Sequence, residues 1–165
     1  MIKKDYPIKE LLSLADVANC VKEHLERAGY SVTTVNKYEI GVTINAIKDK
    51  ESFIVEAVGE NESSDPPREK EILYIIGEIV RRMKKRGMWN FYGIAIPKSY
   101  LKLLKDFEVD GVQLLDFHLF VIENSWSLYH LDSKATIELI QNLKAGKPEN
   151  LIELDIDFKN FDYRL

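Results

Sequence analysis

The sequence predicts an α/β fold in which helices pack on a mixed sheet, in the α+β manner. A helical periodicity of apolar residues opens the chain, and stretches with the two-residue period of β-strands follow it. In the second half, short apolar runs alternate with helical segments, which is typical of parallel strands. A length of 165 residues suits one domain, with a core over about 14–131 and a C-terminal helix and acidic tail over 132–165.

The first half is predicted to hold one helix and a three-stranded antiparallel meander. The helix covers about 13–28, because apolar residues recur there at helical spacing, and Gly29 ends it. The period then changes to two in "YSVTTVNKY", "IGVTINAI" and "SFIVEAV", with "KDKE" as a turn. The segment "GENESSDPPRE" is rich in Ser, Asp and Pro and is predicted to form an exposed loop.

The second half is predicted to alternate helices with strands. Helix two runs from about Glu69 to Arg86, and its apolar face comprises Ile72, Ile76, Ile79, Val80 and Met83. A strand "NFYGIAIP", a helix "KSYLKLLKDF", a strand "VQLLDFHLFVIEN" and a further strand "SWSLYHL" follow. A fourth helix covers 133–145, and the tail "LIELDIDF" alternates like a half-buried strand.

Composition and charge narrow the class of protein. The formal net charge of −4 argues mildly against a dedicated nucleic-acid coat protein. Residues 68–86 nevertheless carry seven basic and three acidic side chains, whereas 149–165 carry five acidic and two basic ones. A single cysteine, Cys20, excludes an internal disulfide. Because no run is apolar and long enough for a membrane span or a signal peptide, a cytoplasmic protein with no membrane partner is expected.

The order helix, β-meander, helix, strand, helix, strand over 14–131 resembles the restriction-endonuclease-like core of the PD-(D/E)XK nuclease superfamily. The pieces that carry the resemblance are the hairpin "GVTINAIKDKESFIVEAVGE", the helix "EILYIIGEIVRRMKKRG" and the strand "FYGIAIP". In that superfamily, an acid on the second strand and the acid of an E-x-K pair on the third hold a divalent cation, and the lysine orients or activates water. The resemblance implies Mg²⁺ or Mn²⁺ as the cofactor of an active member.

On this sequence the resemblance implies a degenerate active site. The third-strand acid falls on Glu56, the lysine on Val58, and the second-strand acid near Thr43 or Asn45. Alternate residues of a strand face the same side, so Glu56 and Val58 would look into one site. Glu56 is therefore the candidate for a residual catalytic or metal-binding role, with Thr43 or Asn45 nearby, and the usual phosphodiester hydrolysis is expected to be lost. The alternative is that Glu56 is a polar residue at the end of a half-buried strand, exposed or hydrogen-bonded, that binds no ligand.

Other side chains are candidates for a site that has migrated. Glu60, Glu62 and Asp65 follow the third strand and offer carboxylates, and Lys70 at the start of helix two offers an ammonium group. Such a site would keep a metal-dependent nuclease active, provided that these groups are placed as the chemistry requires. His24, His118 and His130 show no spacing of a metal site, and His118 is predicted to be a satisfied polar group in or beside a strand.

The basic end of helix two is the candidate surface for nucleic acid. Its cations could contact the phosphates of DNA, and Trp89, Phe91 and Tyr92 could stack on bases, although the favoured role of Phe91 is core packing at the start of a strand. The basic residues are Arg81, Arg82, Lys84, Lys85 and Arg86. The same charges also have a structural explanation, since cations in the last turn favour the helix dipole and Gly87 suits a C-cap.

The sequence leaves three functions open. The first is a nucleic-acid-binding or accessory module on a nuclease fold without the usual activity. The second is a protein-interaction or assembly module, in which the strand-like tail over 150–158 pairs with another copy or another protein. The third is an active divalent-metal-dependent nuclease with a migrated site.

Overall fold

A computed structural model describes residues 11–36, 41–60, 69–84, 89–125 and 127–147 of the chain. Eleven helices and strands lie in these ranges. In chain order they are α1 (Leu14–Arg27), β1 (Ser31–Asn36), β2 (Val42–Lys48), β3 (Glu51–Ala57), α2 (Glu69–Arg82), β4 (Asn90–Pro97), a 3₁₀ helix (Lys98–Asp106), α3 (Val109–Leu115), β5 (His118–Asn124), β6 (Ser127–Leu131) and α4 (Ser133–Lys144).

The strands form one six-stranded mixed sheet in the order β1-β2-β3-β4-β5-β6. The first three strands are antiparallel neighbours, and β3, β4 and β5 run parallel to one another. The last strand, β6, returns antiparallel to β5. The predicted meander, the parallel pairing in the second half and the mixed α/β class are therefore confirmed.

Helices cover both faces of the sheet, and each face has its own apolar cluster. On one face α1 packs against residues such as Ile44, Phe53 and Phe120. A capping box between Ser13 and Asp16 fixes the start of this helix. On the other face α2, the 3₁₀ helix, α3 and α4 pack against residues of the central strands, among them Ile94 and Leu119. The strands β3 to β5 are thus buried on both sides, which explains their nearly continuous apolar sequence.

The structure corrects the predicted apolar face of α2. Ile72 and Ile79 are buried as expected, but Ile75 and the carboxylate residue Glu78 are buried with them. Val80, which the periodicity assigned to the core, is 48% exposed. The helix carries apolar residues on most of its circumference, so spacing alone does not distinguish the face that meets the sheet.

The region after β4 also differs from the prediction. The expected third helix is a 3₁₀ helix, and the apolar run "VQLLDFHLFVIEN" is divided between α3 and a strand that begins only at His118. Asp116 adopts a left-handed conformation with φ of 51° and ends α3. In the first half of this run, Val112 is buried and Leu114 is exposed, as on two sides of a helix. Because both residues are apolar, the sequence does not show which of them faces the core.

Some predicted features fall outside the described residues. These are most of the loop "GENESSDPPRE", with Glu62 and Asp65, the cations Lys85 and Arg86, and the tail over 150–158. Among the helices that the structure describes, each is too short or too polar to cross a membrane.

Candidate functional site

The candidate site begins with a buried pair of side chains on β2 and β3. Thr43 lies directly opposite Glu56 in the antiparallel ladder, and its hydroxyl Oγ1 donates a hydrogen bond of 2.7 Å to Glu56 Oε1. Both residues are buried, and the Glu56 carboxylate is 0% exposed. On the other side of β3, Glu56 is level with Ile94 of β4. A carboxylate in such an apolar setting needs a charged partner, because burial of an unpaired charge is costly.

Arg82, in the last turn of α2, supplies that partner. Its Nε lies 2.8 Å from Glu56 Oε1, and its Nη2 lies 3.6 Å from Glu78 Oε2. The Arg82 side chain is 33% exposed, so the guanidinium group stands between two buried carboxylates and the solvent. The sequence predicts that Arg82 belongs to a phosphate-binding surface, but its charge is engaged by this ion pair.

Glu78 extends the charged cluster to the surface. Its side chain is almost fully buried, and its Oε1 accepts a hydrogen bond of 2.6 Å from Arg81 Nη1. The Arg81 side chain is 77% exposed. Thr43, Glu56, Arg82, Glu78 and Arg81 therefore form a continuous polar path from the sheet interior to the solvent. The sequence analysis did not single out Glu78, although a glutamate three and four residues before two arginines on one helix is a signal for such pairing.

The neighbouring positions of the resemblance do not restore the expected chemistry. Asn45 lies on the same face of β2 as Thr43, but it is level with Ile54 rather than with Glu56. Val58, at the position implied for the lysine, is buried in the apolar cluster beneath α2. Its main-chain N–H donates to the Ala95 carbonyl at 3.1 Å, which continues the pairing of β3 with β4.

These residues do not fit a divalent cation. Mg²⁺ and Mn²⁺ prefer several oxygen ligands with negative charge, whereas Glu56 is joined here by a neutral hydroxyl and by the positive Arg82. A guanidinium 2.8 Å from the carboxylate competes directly with a metal. Across the part of the chain that the structure describes, no cluster of three or more His, Cys, Asp or Glu side chains is placed to hold a metal ion.

Of the groups proposed for a migrated site, Glu60 has structural contacts, whereas Glu62 and Asp65 lie outside the described residues. Glu60 accepts hydrogen bonds from the main chain of Leu12, at 2.9 Å, and from the hydroxyl of Ser99. Its own N–H donates to the Leu12 carbonyl at 2.7 Å, so Glu60 joins the end of β3 to the segment before α1. Lys70 lies on the exposed side of the first turn of α2.

The basic end of α2 keeps part of its predicted surface. Lys84 is exposed, and its main-chain N–H donates to the Tyr92 hydroxyl at 3.0 Å. The Tyr92 ring is buried, so the prediction that it stacks on bases is wrong. Phe91 packs against Phe53 with ring centroids 5.6 Å apart, which confirms the core packing predicted for it. Trp89 is half-buried in the turn before β4.

A second polar cluster lies on the opposite face of the sheet and was not predicted. His24 of α1, His130 of β6 and His118 of β5 form a row, with nitrogen to nitrogen distances of 3.2 Å from His24 to His130 and 2.7 Å from His130 to His118. Burial lowers the pKa of His24 and of His118 to about 4, and it lowers the pKa of His130 well below its usual value. The outer end of the row, His24, borders a cavity of about 150 Å³ together with Cys20, Arg27 and Ser125.

Comparison with known proteins finds no matching protein-family model, no matching curated protein and no matching solved structure.

Proposed function

We propose that this chain is a nuclease-fold protein without metal-dependent phosphodiesterase activity that acts as a nucleic-acid-binding or accessory module. The order of α1, the meander β1 to β3, α2 and the parallel strands β4 and β5 supports the restriction-endonuclease-like assignment. The 3₁₀ helix and α3 together occupy the place of the helix between the two parallel strands. Because fold alone does not establish function, the argument for binding rests on the charged cluster and the end of α2.

One observation carries the proposal, namely the ion pair of 2.8 Å between Arg82 and Glu56. The resemblance assigns the Glu56 carboxylate to a metal ion, but here the positive guanidinium group of Arg82 neutralises it. Such a pair holds α2 against β3. It also occupies the carboxylate that would bind the divalent cation needed for phosphodiester hydrolysis. The proposal for DNA follows from Arg81 and Lys84, which are exposed at the end of the same helix, and from Lys85 and Arg86, which follow in the sequence.

The test is fluorescence anisotropy with labelled duplex and single-stranded DNA at low salt, with and without Mn²⁺. We expect binding that weakens steeply with salt, no effect of Mn²⁺ and no cleavage. Replacing Lys84, Lys85 and Arg86 together with alanine should lower both the affinity and its salt dependence. This triple variant leaves the Arg82 ion pair in place.

The control is a second triple variant, which also removes three positive charges, by replacing Lys102, Lys105 and Lys134 with alanine. These lysines are exposed on the 3₁₀ helix and α4 rather than on α2, and their loss should alter binding much less. Equal losses in the two triple variants would exclude a specific surface. Cleavage that requires Mn²⁺ and disappears in Glu56→Gln would instead establish an active nuclease.

The protein-interaction alternative is tested in the same preparation. Absence of salt-sensitive DNA binding would favour it. If the tail mediates assembly, deleting residues 150–165 should reduce the particle mass measured by light scattering, and an unchanged mass would argue against that role of the tail.

A further inference from the structure

Three histidines from three elements form a row that joins α1 to the sheet. His24 lies in the last turn of α1, His118 begins β5, and His130 lies on β6. His24 Nε2 is 3.2 Å from His130 Nδ1, and His130 Nε2 is 2.7 Å from His118 Nδ1. The Phe120 ring stacks on His130 with ring centroids 4.2 Å apart, and Phe53 lies edge-on to His118. Both ring nitrogens of His130 are therefore engaged by other imidazoles.

These contacts limit the number of hydrogens that the histidine row can hold. Three neutral imidazoles carry one N–H hydrogen each. Each nitrogen to nitrogen contact holds one hydrogen, because two N–H groups cannot face each other at these distances. The two outer nitrogens, His24 Nδ1 and His118 Nε2, can carry one hydrogen each. The row can therefore bind at most one added proton with both contacts intact, and a second added proton must break a contact.

The contact between His24 and His130 is the one that can open. His118 and His130 lie on neighbouring strands, which the main-chain ladder between β5 and β6 holds together. In contrast, α1 meets the sheet through side chains such as Val21 and Leu25. The contact made by His24 is also the longer of the two. Breaking it separates α1 from β6 and leaves the hydrogen bonds of the sheet intact.

The histidine row meets the solvent at its α1 end. His24 is half-buried and borders the cavity of about 150 Å³ together with Cys20, whereas His118 and His130 are buried. The Cys20 thiol donates a hydrogen bond of 3.1 Å to the main-chain carbonyl of Ser125, at the end of β5. Cys20 and His24 are one helical turn apart on the same side of α1. A movement that separates His24 from His130 therefore exposes Cys20 as well.

Charged side chains lie near both ends of the histidine row. Those at the α1 end are Arg27 and Glu23, and those at the inner end are Asp116 and Asp132. Arg27 disfavours a proton on His24, whereas the two aspartates favour a proton on His118. On the middle ring, His130, a proton is opposed by the imidazoles on both sides. The first added proton is thus supported from the inner end, and a proton on His24 requires that this ring turns towards water.

We propose that the histidine row is an acid-sensitive switch, in which a second added proton separates His24 from His130 and α1 opens from β6 while the six-stranded sheet stays folded. The opening exposes the Cys20 thiol and part of the sheet face beneath α1. It also withdraws Val21 and Leu25 from the apolar cluster, so the open form is a minor population near pH 5. This proposal rests on the histidines and is independent of nucleic-acid binding.

The test is the labelling rate of Cys20, the single cysteine of the chain, with 4,4′-dithiodipyridine, which reacts with thiols in mild acid. Each rate is divided by the rate for glutathione at the same pH, which removes the pH dependence of the reagent. From pH 6 to pH 5 this relative rate should rise by more than about tenfold, because opening takes up more than one proton. A relative rate that is independent of pH would overturn the switch, and a rise of tenfold or less would exclude opening by two protons.

Urea distinguishes local opening from unfolding of the whole chain, which also exposes Cys20. Local opening exposes little surface, so adding urea to about 1 M at pH 5 should change the relative rate by less than about threefold. Global unfolding would raise it by more than about tenfold under the same conditions. An increase of that size would overturn the proposal.

Three variants of α1 test the role of the histidine row. His24→Gln keeps a hydrogen-bonding side chain but binds no proton, so its relative rate should change by less than about threefold from pH 6 to pH 5. Arg27→Gln, at an 81% exposed side chain, removes the cation that disfavours a proton on His24 and should open at a higher pH. The matched control is Lys22→Gln, which removes a cation from the other side of the helix and should respond to pH like the wild type.

Circular dichroism confirms that each variant is folded at pH 7. A His24→Gln protein whose labelling responds to pH like that of the wild type would overturn the proposal. Equal shifts in Arg27→Gln and Lys22→Gln would do the same, because the effect would then follow from the charge of the helix and not from His24.

Discussion

At the scale of single residues, the contact between Arg82 and Glu56 determines how the candidate site is interpreted. The sequence correctly places Glu56 on the third strand, and the structure shows that its side chain faces α2. The sequence did not reveal that Arg82 would reach Glu56, because that contact joins two elements that are distant in the chain. Arg82 was grouped with Arg81 by its type and position, yet one is held against a buried carboxylate and the other is largely in solvent. Tertiary packing, and not local pattern, separates them.

Replacing Arg82 should therefore cost far more stability than replacing Arg81. Arg82→Met leaves the buried Glu56 without its guanidinium and is expected to lower the free energy of unfolding by about 2–4 kcal/mol, somewhat less than a fully buried pair because the arginine is partly exposed. Arg81→Met removes a surface partner of Glu78 and should cost about 1 kcal/mol or less. Urea denaturation measures both. Similar losses in the two variants would contradict a structural role of the Arg82 ion pair.

At the scale of elements, the boundaries were predicted best where helix and strand periods differ clearly. The helix α1 and the strands β1 to β3 lie close to their expected positions because a helical spacing of apolar residues gives way, after Gly29, to runs rich in β-branched residues that a turn signal separates. The prediction was wrong where apolar residues are continuous, as in the run that divides into α3 and β5. It was also wrong for Val80, since a helix with two apolar sides offers two candidate faces. Packing on the sheet buries one of these faces, and the spacing of apolar residues does not show which one.

The junction of β3 with the start of α1 allows a second test at this scale. A Cβ at Gly59 would lie 2.2 Å from the main-chain nitrogen of Leu14 and 2.5 Å from its Cα, so Gly59→Ala requires the backbone to move. We expect a loss of about 1–3 kcal/mol, as for an overpacked core position.

Gly77→Ala is the matched control for Gly59→Ala. A Cβ at Gly77 meets nothing, and alanine favours the helix by about 0.5–1 kcal/mol, so this variant should be more stable than the wild type. Thermal unfolding compares the two variants. A Gly59→Ala protein as stable as the wild type would show that α1 and β3 approach less closely.

At the scale of the whole molecule, the two faces of the sheet hold two kinds of buried polar group. The α2 face holds carboxylates that are neutralised by arginine, and the α1 face holds imidazoles in a row. The sequence placed His118 in or beside a strand as a satisfied polar group, and the structure agrees. It could not predict that His24, more than ninety positions earlier, would join His118 through His130, because the contact depends on α1 crossing β5 and β6.

The row of histidines should make the stability of the whole fold depend on pH. The pKa of His24 is lowered from 6.5 to about 4 by burial and, to a smaller extent, by the neighbouring Arg27, and burial lowers the pKa of His118 to about 4 as well. Asp132 and Asp116 act in the opposite direction on His118 but do not offset burial. The folded state therefore keeps these imidazoles neutral where the unfolded chain already binds protons. Stability is fully present above about pH 6.5 and is lost as the pH falls from there towards 4.

Urea denaturation between pH 7 and pH 5 measures this loss of stability. Most carboxylates titrate below pH 5, so they contribute little over this range. Each histidine that stays neutral in the folded state contributes a slope of up to about 1.4 kcal/mol per pH unit. His24→Gln removes the outer imidazole of the row. It should reduce the slope of unfolding free energy against pH by the contribution of one proton, about 1.4 kcal/mol per pH unit. The change in unfolding free energy at pH 7, where the imidazole is neutral, measures the lost packing separately. Unfolding free energies that are equal at pH 7 and pH 5 in the wild-type protein would mean that the row is protonated, or open to water, in the folded state.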